Sequence, residues 1–215
     1  MPAVISATDA ARATAAKNRA RGIWVAVLCA NSEREIHDLE PLWPADLAKK
    51  GIKFENAEEY FTYLMSDGVN TKVITRDRSN RIVGDLTPEM LIGPGIVAAK
   101  PGGPVLPENN AWHVVMIDDQ MWAEMPFLVS RNVKASAIAW PEPKELRGNI
   151  DANGVLIPLL ETIKPFGASR AVWGTKGGAV LDARAHLFIR ARLLPLEKPE
   201  DAPELKVLPA QGGFQ

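Results

Sequence analysis

The 215-residue chain has little of three things that narrow the class of protein: cysteine, net charge and long apolar runs. Its only cysteine is Cys29, which excludes an internal disulfide framework and a cysteine-rich metal site. The formal net charge of −1 gives no field that would steer nucleic acid or anionic membranes. No run approaches the roughly 20 apolar residues of a membrane-spanning helix, and no charged-then-apolar signal peptide is present. The residues alone predict a soluble protein that binds no nucleic acid.

Motifs for catalysis are also missing. The sequence contains no Gly-x-Ser-x-Gly nucleophile elbow and no Walker loop, and no two histidines have zinc-binding spacing. His37, His113 and His186 are scattered, and their neighbours indicate structural roles. Asp118 and Asp119 are adjacent, but no calcium loop surrounds them, so we interpret them as part of a solvated turn. The sequence therefore predicts no enzyme, no cofactor and no metal site.

What the chain does have is a long helix at its start, in which alanine is the commonest residue. Neither proline nor glycine occurs between Pro2 and Gly22, so intrinsic propensity favours a helix. Apolar side chains recur at spacings of three and four from Ala16 to Leu28. The first half of the helix has only small side chains to bury. We predict a helix over residues 1–31 whose two halves have different roles.

Residues 32–194 have the pattern of a globular head. A helix is predicted over 57–66, because Asn56 is a good N-cap and Glu59 completes a capping box. Further segments are assigned from alternation and turn residues. They are helical turns at 45–50, strands at 71–75, 81–86, 112–117, 126–131 and 170–174, a turn at 175–178, one or two half-buried strands over 179–194, a strand or short buried segment at 135–140, and a strand or helix at 155–163. The predicted fold is α+β, a long N-terminal helix packed on a mainly antiparallel sheet, followed by a proline-rich tail, 195–215, that is extended or mobile.

Six tryptophans raise the question of carbohydrate stacking. They are dispersed along the chain, and core positions explain most of them. Trp43, between two prolines, and Trp122, in charged surroundings, are the two candidates for exposed rings that stack on a ligand. A carbohydrate- or protein-binding module of the cell envelope is therefore one functional hypothesis.

A family resemblance supplies the other hypothesis. The stretch PAVISATDAARATAAKNRARGIWVAVLCANSE resembles the segment that follows the membrane helix in type IV pilin-like proteins, including the pseudopilins of type II secretion. Shorter similarities to a large-headed bacterial branch of that family follow in the same order at 58–68, 108–115, 126–132 and 176–178. The chain lacks the Phe-Thr-Leu-Ile-Glu peptidase site, a His-x9-Asp-Gly signature and a clear calcium loop, so pilus, secretion and adhesion roles stay open.

The resemblance implies a non-enzymatic, pilin-like subunit of a cell-envelope filament or of a secretion or adhesion apparatus. A preceding apolar helix would anchor such a subunit in the inner membrane, with its head in the periplasm or at the cell surface. Its partners would be other pilin-like subunits or copies of itself, the envelope assembly machinery, and glycans or host surface proteins. The small and apolar side chains that would pack on neighbouring subunits are those of Val4, Ile5, Ala7, Ala10, Ala11 and Ala15.

Overall fold

One helix of 35 residues, α1 (Pro2–Ile36), begins the chain. This computed structural model describes residues 2–66, 85–140, 159–188, 193–194 and 204–211, with side chains from residue 7 onward. At about 1.5 Å per residue, α1 is about 52 Å long. It continues past its predicted end at residue 31 because no proline or glycine follows until Pro41. It ends where Asp38 adopts a φ of 55°.

Two short helices follow, close to their predicted positions. They are α2 (Pro44–Lys49) and α3 (Ala57–Leu64). The side chain of Asn56 accepts the backbone N–H of Glu59 at 2.9 Å, and the carboxylate of Glu59 accepts the N–H of Glu55 at 2.8 Å. The predicted apolar face of α3 is fully buried. The predicted helix start and its capping residues are therefore confirmed.

The cap at Asn56 gives a direct test of this local account. We expect Asn56→Ala to lower the free energy of unfolding by about 1 kcal/mol, because an N-terminal N–H of α3 loses its acceptor. The same substitution at the exposed Asn18, inside α1, should instead raise stability by a few tenths of a kcal/mol, because alanine has the higher helix propensity. Urea denaturation of the two variants measures both effects. A loss of the same size in both would contradict the capping role.

Five strands form one antiparallel sheet in the order β4-β3-β2-β1-β5. They are β1 (Trp112–Val115), β2 (Pro126–Ser130), β3 (Arg170–Thr175), β4 (Val180–Arg184) and β5 (Val207–Leu208). Helix α1 packs on the face of β3 and β4 that carries Gly174 and Asp182: a Cβ added at Gly174 would lie 3.9 Å from Ala20 Cβ, and Lys17 Nζ lies 2.8 Å from Asp182 Oδ1. The predicted fold class, a long N-terminal helix packed on an antiparallel sheet, is confirmed.

The strand predicted to continue through residues 185–187 is wrong, and residues 189–192 of the same segment lie outside the described residues. Strand β4 ends at Arg184, and a 3-10 helix, Ala185–Leu187, follows it. The physical reason is the length of the partner strand. Arg184 pairs with Arg170, which is the first residue of β3, so no further residue of β3 remains to continue the ladder. Phe188 then turns back and packs on the ring of Trp173, with ring centroids 5.8 Å apart.

Other predicted segments differ or lie outside the described residues. Residues 135–140 form no strand; a 3-10 helix, Ala135–Ala137, begins there, and of the six residues only Ala137 and Ile138 are buried. The strand at 71–75 and residues 81–84 and 155–158 of two further predicted segments lie outside the described residues, and residues 159–163 form neither a helix nor a regular strand. Of the last, Leu160 forms an isolated antiparallel bridge with Val133.

The C-terminal segment, residues 204–211, is extended and lies along the edge of the sheet at β1. Its residues Val207 and Leu208 form β5, paired with β1. The buried carboxylate of Glu58 accepts the backbone N–H of Gln211 at 3.1 and 3.2 Å. Nδ1 of His113 accepts the backbone N–H of Ala210 at 2.8 Å. This part of the predicted tail is therefore held by the head through backbone hydrogen bonds.

Candidate functional site

Helix α1 is divided into two parts by its contact with the head. The first buried side chain is that of Ala13, 2% exposed, and buried side chains recur along one face as far as Ala30. Before Ala13, the described side chains at residues 7–12 are exposed, apart from the half-buried Asp9. We call residues 2–12 the projecting start. It comprises three helical turns, about 16 Å long.

Three of the four predicted assembly residues whose side chains are described are exposed. Ala7, Ala10 and Ala11 are exposed, and Ala15 is half-buried where the helix meets the head. The side chains of Val4 and Ile5 lie outside the described residues, although their backbone continues the helix. The structure thus brings together, on a single helix end, the residues that the sequence singled out.

The rest of α1 is fixed to the head by polar contacts as well as by packing. The indole Nε1 of Trp24 donates to the carbonyl of Lys176 at 2.6 Å. Asp182 of β4 pairs with both Lys17 of α1 and Arg170 of β3. Partial burial alone would raise the pKa of Asp182, but the two cations hold it below its ordinary value. Because these contacts join the helix to the β3–β4 hairpin, the head fixes the direction of the projecting start.

A groove of about 560 Å³ lies beside the other half of α1. We call it the α1 groove. It is bounded by α1, by residues 119–123 and by the turn at 176–177. Its apolar lining includes Leu28 and Leu39, which are 38% and 50% exposed. The exposed carboxylates on its rim are those of Glu35, Asp38 and Asp119. Sequence reasoning missed this groove, because nothing local places the loop near 120 beside the end of α1.

The two tryptophans predicted to stack on a ligand have different surroundings. Trp43 is only 2% exposed and packs at right angles on Phe127, with ring centroids 5.2 Å apart. It is a core residue, so the prediction that its ring is exposed is wrong. Trp122 is 38% exposed and contacts Trp140 in a T-shaped pair at 6.4 Å. One of the two candidate rings therefore keeps an accessible surface.

The histidine with the most informative environment is His113, which is buried in β1. Since its Nδ1 accepts the N–H of Ala210, the proton must be on Nε2, which lies 3.0 and 2.8 Å from the carbonyl oxygens of Arg131 and Val133. Burial lowers the pKa of His113 to about 4, despite these two hydrogen bonds. Both ring nitrogens are thus occupied by backbone groups. The structural role predicted for this residue is confirmed.

The remaining polar candidates are Asp118, in a turn, and two exposed histidines. Asp118 accepts the backbone N–H groups of Gln120 and Met121 at 3.0 Å and pairs with Lys49 at 2.9 Å, as a turn residue does. His37 is exposed at the end of α1, and His186 is exposed beyond β4. Among the described residues, no three His, Cys, Asp or Glu side chains are grouped as ligands for a metal.

The fold and this surface define a class, an α+β protein whose first helix extends beyond its own head. Comparison with known proteins assigns no family, since no family model matches the chain and neither a curated protein nor a solved structure matches it significantly. Within the described part of the chain, no helix combines the length and the apolar character needed to cross a bilayer.

Proposed function

We propose that the protein is a non-enzymatic, pilin-like subunit of a cell-envelope assembly and that copies of it associate helix to helix through the projecting start of α1. The observation that carries the proposal is the exposure of Ala7, Ala10 and Ala11, which precede Ala13, the first buried side chain among the described residues of α1. Short isolated helical segments are marginal in water, so a helix end of this kind is stabilised when it packs on another surface. Small side chains also permit two helix axes to approach closely.

The resemblance to pilin-like proteins supports the same function, because it assigns the start of α1 to contacts between subunits. The alternative hypothesis, a head that binds glycans, relied on two exposed tryptophan rings. Since Trp43 is buried, Trp122 alone is left to support it. We therefore favour assembly over ligand binding by the head.

The proposal is tested by enlarging the small side chains of the projecting start. We expect Ala7→Gln/Ala11→Gln to weaken self-association by about tenfold or more, because overpacking a close contact costs about 1–3 kcal/mol. Glutamine is a good helix former, and both alanines are exposed, so the fold of the single copy is kept. Sedimentation equilibrium measures the association.

Lys53→Gln, at an exposed residue between α2 and α3, is the control and should associate like the wild type. Two outcomes would contradict the proposal. One is a wild-type chain that stays monomeric at every concentration, and the other is an equal loss of association in the control.

A further inference from the structure

We propose that the α1 groove of one copy receives the projecting start of a second copy, so that subunits join head to tail. This inference rests on the proposed function of α1 in assembly. It adds the surface to which the helix start binds and the order in which the copies follow one another.

Charge along the first forty residues is strongly segregated. Residues 2–30 contain one acidic and four basic residues, a net charge of +3, whereas residues 31–40 contain four acidic and one basic, a net charge of −3. The charged residues of the first part are Asp9, Arg12, Lys17, Arg19 and Arg21, and those of the second are Glu33, Arg34, Glu35, Asp38 and Glu40. The acidic part coincides with the end of α1 and the chain just beyond it.

An order with basic residues first and acidic residues last lowers the stability of the helix that carries it. The helix dipole favours acidic side chains near the N-terminus and basic ones near the C-terminus. Helix α1 has no acidic residue in its first turn, and Arg34 is the one basic residue of its last turn. The helix dipole therefore does not explain the pattern, although Lys17 and Glu40 each have an ion-pair partner within the same copy, Asp182 and Lys50. Between two copies placed head to tail the same pattern is complementary, because the basic part of one lies beside the acidic end of the other.

The α1 groove has the chemistry that the projecting start requires. Its exposed leucines, Leu28 and Leu39, offer apolar surface to the alanines of the helix start. Its rim carboxylates at Glu35, Asp38 and Asp119 form no ion pair within the described part of the chain. Lys176, which also lines the groove, donates its ammonium group to the backbone carbonyls of Asp119 and Met121, so the carboxylates outnumber the cation. Arg12, whose side chain is 57% exposed, follows those alanines directly, and its only ion pair within the described part of the chain is a long one of 3.9 Å with the exposed side chain of Asp9. It is the cation that would meet this acidic rim.

The groove cannot receive the start of its own helix. Arg12 and Glu35 are 23 residues apart on one continuous helix, a distance of about 35 Å along its axis. Each copy therefore presents a start and a groove at separate places, and each can engage a different neighbour. Contacts of this heterologous kind produce open filaments, or rings when the rotation closes.

Two charge-reversed variants test this arrangement. The first, Arg12→Glu, places a carboxylate against an acidic rim, and the second, Glu35→Arg/Asp119→Arg, makes the rim basic. Each variant alone should associate about tenfold or more weakly than the wild type in 0.15 M salt, because like charges then face each other. An equimolar mixture should recover association, because opposite charges again meet at both kinds of contact. Lys100→Glu and Glu161→Arg, at exposed sites elsewhere, are the controls.

Sedimentation velocity of the full chain separates failure of this inference from failure of the proposed function. If the variant with the basic rim associates like the wild type, or if the mixture stays dissociated, the groove is not the partner surface, although assembly through the alanines can still hold. If the wild type itself never associates, the proposed function and this inference both fail. Head-to-tail contact is supported if each variant alone associates more weakly than the wild type and the mixture of the two associates again.

Discussion

Replacing Gly178 with alanine is expected to lower the free energy of unfolding by about 4 kcal/mol, the largest effect of any single methyl group that we predict. Gly178 lies in the turn between β3 and β4 with a φ of 84°, where a Cβ costs about 1–2 kcal/mol. An added Cβ would also lie 2.7 Å from a ring carbon of Trp24. That ring cannot move freely, because its Nε1 is bonded to Lys176 in the same turn.

A second glycine shows how much of this loss comes from the positive φ alone and how much comes from the contact of the added Cβ with Trp24. Gly51, just beyond α2, has a φ of 86°, but a Cβ there would meet nothing within 4 Å. We expect Gly51→Ala to cost only about 1–2 kcal/mol. The difference between the two variants in urea denaturation measures the contact between Trp24 and the turn. Equal losses would mean that the ring moves aside and that this contact does not hold α1 on the hairpin.

The elements that the sequence predicts well are those whose signals are local. The capping box at Asn56 and Glu59 fixes the start of α3 within a few residues, and the turn at 175–178 joins two strands that pair directly. The alanine-rich composition of α1 and its apolar spacing also act within a few turns. In these elements, residues close in the sequence determine the backbone conformation, and packing on distant segments hardly changes it.

The wrong predictions concern residues whose structure is determined by contacts with segments far away in the sequence. Prolines beside Trp43 indicated an exposed loop, yet the ring packs on Phe127 of β2, more than eighty residues away. Apolar alternation at 179–194 indicated that strand structure continues through Ala185 and Leu187, but β4 ends at Arg184 because β3 has no residue left to pair. No local pattern shows that Glu58 is buried beneath the backbone of Gln211. In each case the deciding contact is between segments far apart in the sequence.

The candidate site also has one part that the sequence could predict and one part that it could not. Exposure of the alanines could be predicted, because a helix start with only small side chains has little to bury in its own head. The α1 groove could not, because it combines the end of α1 with residues near 120 and with the β3–β4 turn. Only the fold places those three segments side by side.

Mild acid is expected to destabilise the protein through a single buried imidazole, that of His113. Burial lowers its pKa in the folded protein to about 4, whereas the ordinary value in an unfolded chain is 6.5. Between these values the unfolded chain binds the proton and the folded one does not, so stability is full above pH 6.5 and falls as the pH decreases toward 4. The shift corresponds to about 3 kcal/mol over the whole interval. Protonation would place a hydrogen on Nδ1, opposite the N–H of Ala210.

The measurement is urea denaturation at several pH values between 7 and 4.5, a range above the ordinary pKa of aspartate. His113→Gln should be less stable at pH 7, because a buried hydrogen-bonding group is lost, but its stability should change much less with pH. His186→Gln, at an exposed histidine, should keep the wild-type slope. A steep acid loss that persists in His113→Gln would assign the effect to another group. Hydrogen exchange at Ala210 adds a local readout, since protonated His113 no longer accepts that N–H and the C-terminal segment should open first.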